Sequence, residues 1–68
     1  MEKKLMIQGM TCGHCAAHVE RALNSIPGVL AKVDLSSHTA VVQSAQEISD
    51  EVLKEVVQNA GYEVISIQ

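Results

Sequence analysis

Phenylalanine and tryptophan are absent from this sequence of 68 residues, and tyrosine occurs once. Any core must therefore be aliphatic, assembled from Val, Leu, Ile, Ala and Met. The apolar fraction of 47% is that of a globular chain and excludes a disordered one. Basic side chains are also scarce: five Lys and Arg stand against eight Asp and Glu, for a formal charge of −3. With no basic run and no interleaved aromatics, nucleic acid is excluded as a partner. Long apolar runs are missing as well. None approaches the ~20 residues that cross a bilayer, so no membrane insertion is expected. The short apolar stretch after Met1-Glu2-Lys3-Lys4 falls below the ~7–15 residues of a signal-peptide core, and a cytoplasmic location follows as the expectation. There is no linker, repeat or low-complexity segment. Residues 1–68 read as one domain, which at this size buries only about 60% of its unfolded surface.

Cysteine is the most informative scarcity. The chain has two, Cys12 and Cys15, in the stretch Gly9-Met10-Thr11-Cys12-Gly13-His14-Cys15. Two cysteines make no disulfide framework, and a close pair in a reducing compartment reads first as metal-binding or redox-active.

The remaining pattern places this pair. Leu5 and Ile7 alternate with Lys4, Met6 and Gln8, as in a strand with one buried face. Gly9 and Gly13 bracket a loop, and Thr11 is the expected N-cap of a helix. From Cys15 the period becomes helical, with Cys15, Val19, Ala22, Leu23 and Ile26 on one face and Glu20, Arg21 and Asn24 off it. Pro27-Gly28 ends that helix. A second strand is expected over Val29 to Leu35, a turn at Ser36-Ser37-His38, and a third strand over Thr39 to Gln43. Ser49 caps a second helix whose apolar stripe is Val52, Leu53, Val56, Val57 and Ala60, and Gly61 stops it. Tyr62 to Ile67 is the last strand. The order βαββαβ predicts an α+β fold, a split βαβ pair with strand order 4-1-3-2 and both helices on one face of an antiparallel sheet. Strand direction then brings Gly61-Tyr62 beside Cys12 and Cys15.

Three chemistries compete for the cysteine pair. The helix dipole and free backbone N–H groups favour thiolate at this position. Burial as small hydrophobes suits Cys15 but leaves Cys12, between Thr11 and Gly13, unexplained. Structural zinc takes four ligands, and His14 and His18 lie too close to the cysteines for a finger. A thioredoxin-type redox site needs a different chain order. A soft monovalent ion such as Cu(I) is satisfied by two or three thiolates, and so open a site supports transfer over storage.

The motif from Gly9 to Cys15 resembles the GMxCxxC signature of the heavy-metal-associated domain family. Pro27-Gly28-Val29 and Gly61-Tyr62 extend the likeness over effectively the whole chain. Length and the initial Met bring it nearest to the small bacterial copper chaperones of the CopZ type. The resemblance implies a ferredoxin-like βαββαβ open-faced sandwich. It also implies Cu(I) held by Cys12 and Cys15 and passed to the metal-binding domain of a copper-transporting P-type ATPase or to a copper-responsive repressor, with no catalysis. In that pattern Met10 is a buried plug under the loop and Tyr62 covers the metal loop. His14 points to solvent, tunes the thiolates, or ligates in a copper-bridged homodimer of a protein that is otherwise monomeric. The alternatives are an excised ATPase domain, a thiol-disulfide oxidoreductase, and a mercury or zinc carrier. Two departures from the family pattern stand out. The segment after Gly28 is one residue short, and Ser44 replaces an aromatic at the end of the third strand.

Overall fold

A computed structural model describes residues 1–68. Strand β1 runs Glu2–Gln8, helix α1 Gly13–Asn24, strand β2 Val29–Asp34, strand β3 Thr39–Ser44, helix α2 Asp50–Asn59 and strand β4 Glu63–Ile67. The four strands form one antiparallel sheet in the order β2-β3-β1-β4, which is the expected 4-1-3-2 read from the other edge. This is the ferredoxin-like sandwich.

Period-2 alternation decides the sheet's inner face. Leu5, Ile7, Ala31, Ala40 and Val42 are buried there against Val19 and Leu23 of α1 and Leu53 and Val57 of α2. Every one is aliphatic, and each fully buried Leu or Val contributes roughly 1.5–3 kcal/mol. The shortened segment after Gly28 leaves the β2–β3 register regular, from Val29 opposite Ser44 to Asp34 opposite Thr39. Ser44 is buried, and its hydroxyl accepts from the Gln46 N–H at 3.1 Å, so a turn-forming polar group fills the place of the missing ring.

Several boundaries differ from the sequence reading. Helix α1 stops at Asn24, ahead of Pro27-Gly28, because the Ser25 and Ile26 N–H groups close tight turns onto Ala22 and Leu23. Strand β2 ends at Asp34, not Leu35, because the Asp34 carboxylate accepts from the Ser36 N–H at 3.0 Å and the Ser36 hydroxyl at 2.6 Å, turning the chain. Strand β3 runs one residue further, to Ser44, and β4 starts at Glu63, after Tyr62. Val52 is 42% exposed and lies outside the apolar stripe of α2. Glu20 and Asn24, off the apolar face of α1 as expected, also stitch the outer edge of β2. Asn24 accepts from the Ala31 N–H at 2.8 Å and donates to the Ala31 carbonyl at 3.1 Å, while Glu20 accepts from the Val33 N–H at 3.2 Å.

Candidate metal centre

The chain leaves β1 through a short loop, and one buried side chain fixes where that loop sits. Met10 is 1% exposed and belongs to the core, so the loop is pinned to the body of the protein by its thioether. Thr11, Cys12, Gly13 and His14 around it are exposed. Gly9 has φ +102°, a conformation open to glycine and strained for other residues, and this turns the chain from the strand into the loop.

Cys12 is the N-cap of α1, and its carbonyl accepts the first helical bond, from the Ala16 N–H at 3.2 Å. This corrects the expectation for Thr11, which does not cap. The Thr11 hydroxyl instead lies 4.0 Å from the Cys15 sulfur. Cys12 is in extended backbone and Cys15 is in the first helical turn, which aims both side chains at the same point. Their sulfurs are 3.4 Å apart and both cysteines are free. The two differ in shelter: Cys12 is exposed, whereas Cys15 is half-buried and packs against the core.

The third member comes from the far end of the chain. Helix α2 closes at Ala60, Gly61 reverses at φ +98°, and the Tyr62 N–H returns to the Val57 carbonyl at 3.2 Å. The reversal sets the Tyr62 ring beside the cysteine loop, with its hydroxyl near the Cys15 thiol. That hydroxyl, first, then the Thr11 backbone and the Cys12 thiol hold the Cys15 pKa down, from 9.0 to about 6; partial burial opposes them weakly. The same contact pushes the Tyr62 phenol up, chiefly through its bond to Cys15, since ionising it would place two anions together.

His14 is exposed between the cysteines, and the groups acting on Cys15 do not include it. His18 is exposed further along α1. His38 has φ +56° in the β2–β3 turn and borders a shallow depression with Met6, Met10 and Ile65 at the same end of the sheet. The structure thus brings Cys12, Cys15 and Tyr62 together, with Met10 beneath them, and leaves all three histidines apart. No group of three His, Cys, Asp or Glu side chains is placed to hold a metal ion. Sequence reasoning missed Thr11 as a neighbour of Cys15 and Gly9 as a neighbour of Tyr62. The first could have been found from the four-residue spacing; the second depends on the fold alone. Chemically, two adjacent sulfurs, one readily ionised and one open to solvent, form a donor set suited to soft, low-coordinate ions.

Comparison with known proteins agrees with this chemistry. The heavy-metal-associated domain profile matches residues 4–63. The copper chaperone CopZ of Staphylococcus aureus is 38% identical over 63 residues, which is 90% of this chain and 93% of that protein. The copper-exporting P-type ATPase of Mycobacterium tuberculosis is 37% identical over 60 residues, or 88% of this chain. The chain spans 8% of the length of the P-type ATPases it matches. A solved CopZ metallochaperone superposes with a TM-score of 0.88 at 36% identity, over 96% of this chain and 100% of that one.

Proposed function

The chain belongs to the heavy-metal-associated domain family, and from that premise we propose that residues 1–68 act as one domain that carries Cu(I) as cargo between proteins. Cys12 and Cys15 are the ligands in this reading. The observation that carries it is their asymmetry: sulfurs 3.4 Å apart, one exposed and one half-buried beside Tyr62. Cys15 is the anchor. Cys12 is the ligand that enters first on loading and leaves first on delivery. A partner's thiolate attacks the ion from the open side, a three-sulfur intermediate forms, and the Cys12 sulfur departs. Each exchange trades one Cu–S bond for another, so the chain is a carrier and catalyses no reaction. The similarity to copper ATPases favours the metal-binding domain of such a pump as recipient. A copper-responsive repressor is the second recipient in this reading. The carrier operates in the cytoplasm in this reading.

Copper bound by two sulfurs keeps vacant positions, so a second copy's Cys12 can fill one and give a copper-bridged homodimer, with His14 placed at the seam. The alternative reading, a metal-binding domain cut from a copper ATPase, rests on the match to the ATPases over 88% of this chain. It uses the same site and differs in the recipient.

The direct test is competition for Cu(I) against a chromogenic chelator under anaerobic conditions. Cys12→Ser and Cys15→Ser should each lose tight binding. Wild-type affinity in either variant would sink the assignment. Zinc in the same titration should bind far more weakly, because four-ligand geometry is missing.

A further inference from the structure

At Gly9 the backbone passes close to the Tyr62 ring. A Cβ built on Gly9 falls 3.3 Å from Tyr62 Cδ1, tighter than an ordinary van der Waals contact. No comparable neighbour lies within 4 Å of a Cβ at Gly13, Gly28 or Gly61. Gly61 also has positive φ, yet a side chain there meets open space. The two turns therefore differ in kind: Gly61 is needed for its backbone alone, Gly9 for its backbone and for the room it leaves. The ring that uses this room is the one that lies beside the Cys15 thiol.

We infer that Gly9 is a positioning residue for the cysteine site: its missing side chain is the seat of the Tyr62 ring, and through that ring it governs how well Cys15 is covered. This rests on the proposed copper-carrying role only for its consequence, not for its geometry. Any Cβ at position 9 pushes the ring outward, by a few tenths of an ångström for Ala and further for larger side chains. The hydroxyl then loses its alignment on the sulfur, and the side of the site that the ring shields opens to small competitors.

Tyr62 is the only Phe, Trp or Tyr in the chain, so its ring protons need only be told apart from those of three histidines. The apo protein is compared as wild type, Gly9→Ala, Gly9→Asn, Tyr62→Ala and Gly9→Ala/Tyr62→Ala. Asn tolerates positive φ better than Ala while carrying the same Cβ, so it keeps the test alive where Gly9→Ala fails to fold. The Tyr62 ring-proton shifts should move in both Gly9 variants. With one Cu(I) bound, removal of the ion by a bathocuproine-type chelator should be faster in Gly9→Ala and in Tyr62→Ala by roughly three- to tenfold, the size of one hydrogen bond. The double variant should be no faster than the faster single one, because the seat matters only when the ring is present. Rates that multiply in the double variant, or Tyr62 signals that stay fixed in both Gly9 variants, overturn the inference by reducing Gly9 to a backbone hinge. Failure of Cys12→Ser and Cys15→Ser to affect copper binding is a separate result. It overturns the carrier reading, and the ring shifts alone then decide whether Gly9 seats Tyr62.

Discussion

The Tyr62 hydroxyl lies near the Cys15 thiol, and the electrostatics of the site turn on that pair. The contact is the leading reason for the Cys15 pKa near 6. Near neutral pH the Cys15 thiol is therefore largely ionised. Tyr62→Phe keeps the ring and removes the donor. It should raise the pH midpoint of Cys15 alkylation, followed residue by residue by mass spectrometry, toward the ordinary thiol value of 9.0. An unmoved midpoint would transfer the effect to Thr11 and the helix terminus. The same shift fixes a sign for stability. The thiol is more acidic in the folded chain than in the unfolded one, so its stabilising contribution is full above about 9 and fades as pH falls through about 6. Urea midpoints of wild type and Tyr62→Phe should accordingly differ most at alkaline pH and converge below pH 6.

Among the elements, the two helices begin in opposite ways. Ser49 caps α2 through its hydroxyl, which accepts from the Val52 N–H at 3.3 Å, and Asp50 and Glu51 follow in the first turn. Helix α1 starts at Cys12 with no side-chain cap and no acid in its first turn, which leaves its N–H groups and positive end to act on the sulfurs. Ser49→Ala should therefore cost about 1 kcal/mol, whereas Thr11→Ala should change stability by less than about 0.5 kcal/mol; paired denaturant titrations would show it. The β2 edge gives a sharper case. Asn24→Ala removes the partner of both Ala31 backbone groups, which predicts a loss of about 1–3 kcal/mol and a newly exposed strand edge open to pairing between molecules. Light scattering during thermal melts would detect that pairing, and an Asn24→Ala protein as stable and monodisperse as wild type would refute the role. These elements also mark what the sequence made legible. Periodicity identified Leu5, Ile7, Val19, Leu23, Ala40, Val42, Leu53 and Val57, and all are buried. It misread Val52, which is exposed, and placed Glu20 and Asn24 correctly off the apolar face without showing that they bond to β2. A helical wheel records the direction of a side chain, not whether a neighbouring strand comes close enough to accept it. Thr11 does not cap because the N-cap falls one residue later, at Cys12, in extended backbone.

For the whole molecule, the fold contributes to the site by joining distant parts of the chain. Strand direction alone predicted that Tyr62 meets Cys12 and Cys15, and the structure places it there. The contact is held by the core beneath it, which is small and aliphatic. A cavity at Leu23 or Leu53 should cost roughly 2–5 kcal/mol, a large share of the stability of a domain this size, and would dissolve the site with the fold. Copper loading tests the converse. The cysteines are three positions apart in sequence, so the unfolded chain keeps a two-sulfur clamp, and copper stabilises the fold only by the excess affinity that the native frame adds. Each tenfold excess contributes about 1.4 kcal/mol, which moves the Tm of a domain of this size by roughly 5–10 °C. If Tyr62, the helix terminus and the pinned loop organise the site, one equivalent of Cu(I) should raise the Tm measurably under anaerobic conditions. Tyr62→Ala should show a smaller rise than wild type, because it discards part of that excess while leaving the local clamp intact. Equal rises in the two proteins would mean that the folded frame contributes through the cysteine loop alone. No rise in either would mean that the four-residue motif binds copper as well unfolded as folded, and that the sandwich serves recognition by the recipient instead of the metal.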